Sequence, residues 1–507
     1  MGSFVHPIVG RHSAGLLACT LSLAMAGCAV GPDFVAPKPA APADWASWRS
    51  GDTSLVTPVD ASSPLQADWW KAFHDPVLDS LEARAFAASP DLQKAALHFA
   101  QSRAQRSTVA AQQWPAADLS ASENRQRISE YSASTRIAEG LGPEKKELID
   151  LLSQPFNVYQ AGFDASWELD LWGRVRRSVE AADADVAQQA ALLDQAWLSV
   201  ASDVARNYFQ LRTTQRQIQL TRDDIDAMAQ RLQIIQVRVD AGTIDHVDLA
   251  QQRAELSALQ AQLPGLLVQA GAYENQIALL LGEHPGTLHD TLQPVVEGTR
   301  PLPPDLTPGV PSEVAARRPD IRAAEQRLRN ATAGIGIAKA DLYPNVSIGA
   351  QFGYESYLSG KFADWGSRTW SIGPSLSLPL FDHGRRQSVV QLRELQQQEA
   401  AVDYHRTVLQ AWQEIDDALN GYASYRQETQ KLVERARSTD EAYKLIQVKY
   451  DAGTVDFLAV LDSHRSYLQA RRDLAASQGQ LDIQFVAVNK AVGNVPMQSA
   501  GLADMHP

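Results

Sequence analysis

The sequence predicts a mixed α and β membrane protein in which one structural unit is written twice along 507 residues. Three observations carry this. The phrase "RVDAGTIDH" at 238–246 returns as "KYDAGTVDF" at 449–457, 211 positions later. Each copy ends a very long stretch of helical composition. Between these stretches lie short segments in which apolar and polar residues alternate. The unit therefore reads helix, strand, loop, strand, long helix, DAGT turn, return helix. An internal repeat of this length has to be read before any local motif.

The chain begins with an export signal over 1–27. Arg11 supplies a positive charge, and "AGLLACTLSLAMAGC" supplies an apolar stretch too short to span a membrane as a helix. "AMAGC" has the form of a lipobox with Cys28 as the acylated residue, although Met25 stands where Leu is usual. Cys19 in "LLAC" is the rival, with too little apolar sequence before it, and an ordinary signal peptide cut nearby is the plainer alternative. Ala29 after Cys28 fits a lipoprotein passed to the outer membrane. Residues 28–74 are expected to form a lipid-anchored, extended segment. Cys19 and Cys28 are the only cysteines, so the body of the chain has no disulfide framework.

The first repeat, 75–281, contains the first long helix. From 174 to 241 there is no Gly and no Pro, and Val204, Leu211, Ile218, Ile225, Leu232 and Val239 recur every seven residues. That is a coiled-coil seam on a helix ~100 Å long. The second repeat, 317–492, shows the same between 385 and 452, interrupted only by Gly421, with Leu395, Val402 and Leu409 in heptad spacing. Return helices follow at 244–281 and 455–492. "SPDLQKAAL" at 89–97 and "RPDIRAAEQ" at 318–326 each open a further helix with Pro at its first position, running to about Gln113 and Leu342. A return helix and one of these together give ~95 Å, so hairpins of one common length are expected. Residues 282–316 link the repeats, and 493–507 form a tail.

Strands are expected at about 116–128, 159–171, 345–355 and 369–380. In the second, Tyr159, Phe163, Trp167 and Leu171 share one parity with Asp164, Glu168 and Asp170 on the other; the third and fourth alternate alike, with Val346, Ile348 and Phe352, and with Trp370, Ile372 and Leu376. The first rests mainly on its place in the repeat, where "QQWPAADLS" at 112–120 matches "DLYPNVSIG" at 341–349. "LDLWGRVRR" at 169–177 likewise matches "LPLFDHGRR" at 378–386. A soluble sheet with one wet face has this pattern, and so does a membrane barrel strand of ~9–11 residues. The 132–155 loop, with "GPEKKELIDLL", is expected to carry a short outer helix.

Four strands cannot close a membrane barrel, for which eight is the smallest number, and two hairpins of this length cannot bury their own seams. A ring of copies removes both deficits, which predicts a cyclic oligomer. The strands would lie at one end and the DAGT turns at the other, ~100 Å away.

The repeat, the paired turns and "CAVGPDFVAP" after the lipobox resemble the TolC/OprM-type outer-membrane efflux channels, most closely the lipoprotein branch called NodT-like. The resemblance covers 28–507. It implies a homotrimer in the bacterial outer membrane, with four strands per chain in a twelve-stranded β-barrel and long hairpins forming a twelve-helix periplasmic α-barrel, belted by 282–316 together with the terminal segments. It implies a passive exit duct that docks a periplasmic membrane-fusion adaptor and an inner-membrane transporter of RND, MFS or ABC type. The cargo would be small molecules such as drugs, toxic organics or metal ions. Cys28 would hold palmitate in the outer-membrane lipid.

Within that frame the turns become adaptor-docking tips. They comprise Asp240, Gly242, Thr243 and Asp245 in the segment 240–245, and Asp451, Gly453, Thr454 and Asp456 in 451–456. The glycines permit a reversal at positive φ, the threonines can cap the following helices, and Asp245 and Asp456 suit a first turn. Turn-making alone would explain them too. "VDFLAVLDSHR" resembles the family's gate segment, in which Leu458 and Asp462 would line the narrowest constriction one helical turn apart. Ala459 stands where some relatives carry a second Asp, and Val247 and Gln251 give the first repeat only a partial copy. The competing assignment makes Leu458 part of a seam and Asp462 a solvated surface residue.

The composition excludes other classes. A net charge of −13 argues against nucleic acid as a partner. No P-loop, HExxH motif or Cys/His cluster occurs, so no enzyme, cofactor or metal site is expected. "TAGIGIAKA" at 332–340 lies mid-helix and is no phosphate cradle. The alternatives are a type I protein-secretion duct of the same fold and, from another class, a non-conducting trimeric coiled-coil surface protein.

Overall fold

The computed structural model describes residues 29–39, 41–45, 50, 52–55, 67–133, 145–243, 245–293, 306 and 309–496. The expected signal peptide and Cys28 lie outside these residues, as do parts of the 28–74, 282–316 and 493–507 segments.

The helices are α1 (Pro76–Ala88), α2 (Pro90–Ala111), α3 (Lys145–Leu152), α4 (Arg174–Asp240), α5 (His246–Leu280), α6 (Pro311–Arg317), α7 (Pro319–Ala340), α8 (Arg385–Asp451) and α9 (Phe457–Ala491). The strands are β1 (Ala116–Gln126), β2 (Phe156–Glu168), β3 (Asn345–Ser356) and β4 (Arg368–Ser377). The duplication is visible in the lengths. α4 and α8 each have 67 residues, α5 and α9 each 35, and α2 and α7 each 22.

These lengths correct the expected match between long and composite hairpin arms. Helices of 35 and 22 residues give ~85 Å, against ~100 Å for 67. The return helices start two residues later and stop one residue earlier than expected, ending where Gly282 and Gly493 turn left-handed at φ 72° and 70°. Each then abuts the start of the Pro-opened helix of its own repeat. A Cβ on Gly282 would lie 2.9 Å from the Ala88 carbonyl oxygen, and one on Gly493 2.9 Å from Arg318 Cγ.

The described residues form two compact units, and neither is a repeat: those within 29–36, 102–186 and 327–400 make one, and those within 37–101, 187–326 and 401–496 the other. Both repeats contribute to both units, so the boundaries 75–281 and 317–492 divide sequence and not bodies.

The first unit holds a four-stranded antiparallel sheet in the order β1-β2-β3-β4. β2 meets β3 where the two repeats join. Leu119, Phe163, Phe352 and Trp370 stand opposite one another in a single row across all the strands, and Ala117, Ala165, Ala350 and Ile372 form the next. The apolar face is thus continuous, and Leu119, Phe163, Phe352, Trp370, Ile372 and Leu376 are all exposed on it. Asp118, Asp164, Gln351 and Ser371 form a row of the opposite face. Among the described residues no helix is long and apolar enough to cross a membrane.

Strand ends depart from the alternation pattern. β2 begins at Phe156, opposite Gln126, and stops at Glu168 although apolar alternation continues to Leu171. Asp170 ends it by accepting the N–H groups of Val175 (2.8 Å) and Arg176 (2.9 Å), which satisfies donors at the start of α4. β4 stops at Ser377 because its partner strand begins at Asn345; Leu378 and Leu380 lie beyond the ladder and are exposed.

The second unit contains the main apolar core, where α1, α4, α8 and α9 meet. Trp69, Leu78, Leu81, Trp197, Tyr208, Phe209, Tyr422 and Phe485 pack there. Asp75 caps α1 by accepting from Val77 and Leu78, and Tyr208 donates its hydroxyl proton to the same carboxylate at 2.5 Å. A second cluster near the DAGT turns joins Met228, Ile235 and Val239 of α4, Leu249 and Leu259 of α5, and Phe457, Val460, Leu461 and Leu468 of α9. The α4 heptad positions Val204, Leu211, Ile218 and Val239 are buried. Leu395, Val402 and Leu409 on α8 are exposed, so that seam finds no partner among the described residues of its own chain.

Candidate functional site: the helical tips and the entrance segment

At each DAGT turn the long helix ends in the same way. Gly242 donates to the Val239 carbonyl (2.8 Å) and Thr243 to the Arg238 carbonyl (2.9 Å); Gly453 and Thr454 repeat this with Tyr450 (2.9 Å) and Lys449 (3.0 Å). This is the Schellman pattern, with glycine in the left-handed position at φ 69° and 71°. Nothing lies within 4 Å of a Cβ built on either glycine, so the requirement is backbone conformation and not space.

The threonines correct the expectation drawn from sequence. They do not cap the following helices. Their hydroxyls donate backwards, to the Arg238 carbonyl at 2.8 Å and the Lys449 carbonyl at 2.9 Å, and so close α4 and α8. The N-caps are the aspartates: Asp245 accepts from Val247 at 3.3 Å and Asp456 from Ala459 at 3.0 Å. Carboxylates outcompete hydroxyls for these amides because their bonds are charge-assisted.

All eight tip residues are exposed. Asp240 and Asp451 are the last residues of α4 and α8, where the helix dipole disfavours an anion by ~0.3–1 kcal/mol. Asp240 accepts only an amide bond from Gln236 (2.8 Å). The two tips are neighbours: Arg238 lies over the Tyr450 ring at 5.7 Å, and burial followed by the charges of Asp245 and Asp456 raises the pKa of Asp248.

Just after the second DAGT turn, α9 has two distinct faces. Phe457, Val460, Leu461, His464 and Leu468 are buried, whereas Leu458 and Asp462 are exposed, one turn apart. Leu458 is therefore no part of a seam within this chain. Asp462 lies 4.0 Å from Arg465, a residue the sequence did not single out. Arg465 grips Glu255 of α5 with two bonds, 2.6 and 2.9 Å. Next to it the buried His464 sits 4.7 Å from the Tyr443 ring, which stacks on Tyr467 at 5.5 Å, while Arg231 donates to the Tyr443 hydroxyl at 2.7 Å. Burial, and after it the Arg231 charge, pushes the His464 pKa down to about 4.

At the start of the first unit, Ala29 lies against Gly173. A Cβ on Gly173 would sit 2.8 Å from Ala29 Cα, and Val30 donates to the Trp172 carbonyl at 3.0 Å. Gly31 crosses Gly336 of α7 so closely that a Cβ on Gly31 would fall 2.5 Å from Gly336 Cα. The glycines of "TAGIGIAKA" thus have a packing role, which is to let the N-terminal segment pass over a helix.

Helical tips on coiled-coil arms, with a sheet whose apolar face is exposed, define an outer-membrane channel class rather than an enzyme. The family model described as "Outer membrane efflux protein" matches residues 82–283 and 310–494. Outer membrane protein OprJ of Pseudomonas aeruginosa is 30% identical over 490 residues, covering 95% of this chain and 96% of OprJ. Nodulation protein T of Rhizobium leguminosarum bv. viciae is 27% identical, with 95% and 93% covered. A solved structure of the outer-membrane channel OprN superposes with a TM-score of 0.81 at 30% identity, covering 92% of this chain and 99% of that one. The chain belongs to the outer membrane efflux protein family. It is an efflux channel of the bacterial outer membrane and not an enzyme.

Proposed function

We propose that three copies of this chain form a passive exit duct, anchored by an acylated Cys28, that docks a periplasmic adaptor through its tips and receives small molecules from an inner-membrane transporter. The carrying observation is the open sheet: its apolar face is exposed in register across four strands, and β1 and β4 each leave one edge unpaired. Three such sheets give a closed twelve-stranded barrel, which removes those edges from lipid. The unpartnered heptad Leu395, Val402 and Leu409 supports the same ring, because a neighbouring copy would cover it.

The tips support docking because Asp240 and Asp451 occupy helix ends where their own chain disfavours them, and a cationic partner surface would offset that cost. The entrance is gated by Leu458 and Asp462, which in a threefold ring form an apolar layer and an acidic layer. Converging carboxylates repel one another and raise the local affinity for cations, so neighbouring ion pairs must hold the closed state. The close seat of Ala29 on Gly173 supports the lipid anchor, since it holds the residue after Cys28 just past the end of β2.

The test is single-channel conductance of the purified protein in planar bilayers, with Leu458→Ala and Asp462→Ala alongside. Conductance and cation selectivity are expected, with Leu458→Ala raising conductance and Asp462→Ala lowering selectivity. An absence of channels would refute the duct, and unchanged behaviour in both variants would move the constriction elsewhere.

A further inference from the structure

Trp172, just past β2, stacks on Tyr343, just before β3, with ring centroids 4.7 Å apart and planes 23° from parallel. Its indole N–H also donates to the Pro344 carbonyl at 2.9 Å. This clasp lies where the two repeats meet at the base of the β2–β3 pair. The match of "LDLWGRVRR" to "LPLFDHGRR" puts Phe381 where Trp172 stands, and that of "QQWPAADLS" to "DLYPNVSIG" puts Trp114 where Tyr343 stands. Neither makes that clasp among the described residues of its own chain: Phe381, whose ring neighbour is His383 at 4.6 Å, is 80% exposed, and Trp114 74%. Phe381 follows β4 and Trp114 precedes β1, and these strands are the two edges of the sheet.

We propose that Phe381 of one copy clasps Trp114 of the next, and that β4 pairs with β1 of that next copy in the register β2 uses with β3. The inference rests on the ring reading above and adds the residue-level geometry of its closure. Transferred through the repeat, the pair Ser166–Gly349 becomes Ser375 opposite Ser120 of the neighbouring copy, and Trp167–Ile348 becomes Leu376 opposite Leu119. The faces agree without adjustment. Leu119 and Leu376 both belong to the exposed apolar face, and Ser120 and Ser375 to the polar one, so the barrel closes apolar to apolar. A slip of one residue would set Leu376 against Asp118 or Ser120 and break that face. One feature of the clasp is not copied: Phe381 has no N–H to offer the carbonyl of Pro115.

Beyond Cys28 the chain has no cysteine, so paired substitutions report cleanly. The full lipoprotein carrying Ser375→Cys with Ser120→Cys is oxidised and run on denaturing, non-reducing gels. Opposed antiparallel residues ~4.5–5.5 Å apart at Cα suit a disulfide. Most of the protein is expected to migrate as covalent oligomers, with neither single variant doing so and at least five-fold less from Ser375→Cys combined with Asp118→Cys or with Ser122→Cys. Stronger cross-linking from a displaced pair would overturn the register while leaving the ring. No cross-link from any pair in a detergent-stable trimer would overturn the inference alone, and a monomer in mild detergent would remove the ring beneath it. For the clasp, Phe381→Ala and Trp114→Ala are each expected to lower the temperature at which the oligomer dissociates, with the double variant no lower than the weaker single. Additive losses would overturn the clasp.

Discussion

Arg465 holds Glu255 through two guanidinium bonds of 2.6 and 2.9 Å, tying the return helix of the second hairpin to that of the first three residues beyond Asp462. Arg465 is about half exposed and Glu255 largely buried, so the pair contributes ~1 kcal/mol once solvent screening is allowed for. Under the proposed gating, such ties hold the closed state, and it opens more often when one is lost. Glu255→Gln keeps the shape and removes the charge, and an increase in open-channel fraction of roughly five-fold is expected, since 1.4 kcal/mol corresponds to tenfold. Bilayer recordings at low and high salt check this. The difference between variant and parent should shrink at high salt, and equal open fractions at low salt would show that the pair does not restrain the gate.

Gly242→Val and Gly453→Val should each abolish efflux while leaving the oligomer in the outer membrane. The space around both glycines is open to a Cβ, but a β-branched residue at φ near 70° costs ~1–3 kcal/mol. That cost is small against the long helical arms and falls on the proposed docking surface. Export assays in cells, with membrane fractionation as the control, read the result. Normal export from both variants would mean that the tips are not the docking surface.

Gly336→Val should unseat the N-terminal segment. Gly31 crosses at that point, and a Cβ on Gly336 would also meet the Arg177 side chain at 2.8 Å. Arg177 is nearly buried and pairs with both Asp33 and Glu180 at 2.7 Å, so displacing it breaks two ion pairs. Limited proteolysis between residues 29 and 39 is expected to quicken several-fold. Cleavage at the parent rate would show that the segment does not depend on this crossing.

Much of the fold was legible because it is written in local periodicity. The absence of Gly and Pro and the heptad from Val204 to Val239 predict α4, and the alternation from Tyr159 to Trp167 predicts most of β2. What failed depended on competition between polar groups. Asp170 captures the α4 amides and so ends β2 early. Asp245 and Asp456 take the N-caps that the threonines were expected to fill, and each Thr hydroxyl turns back to the preceding helix. Leu458 and Asp462 could be singled out from the sequence, and both are exposed on α9, but the ties beside them could not. Arg465 meets Glu255 from 210 positions away, and no local pattern in "QQRAELSAL" marks that glutamate as a partner. Likewise "TAGIGIAKA" could be dismissed as a phosphate cradle from its place in a helix, while its packing role required the course of the N-terminal segment.

His464 should make the coiled coil near the tips sensitive to acid. The imidazole is buried, its Nδ1 has no hydrogen-bond partner, and Tyr443, Tyr467, Arg231, Glu255, Arg471 and Arg472 surround it. Its pKa falls from 6.5 to about 4, chiefly through burial. Above pH 6.5 the ring is neutral in both folded and unfolded chains and carries no pH dependence. Between 6.5 and about 4 the unfolded chain takes up a proton that the folded chain refuses, so stability falls as pH falls. Asp224 acts in the opposite sense, because burial raises its pKa to about 6 and its contribution is lost as pH rises through that value. The two oppose each other over the same range, so a melting curve of the parent alone does not separate them. His464→Gln removes one contribution and keeps the other. The variant is expected to gain melting temperature relative to the parent as pH drops from 6.5 towards 4, with the difference constant above 7. A difference that does not change with pH would show that folding leaves the His464 pKa where it stands in the unfolded chain.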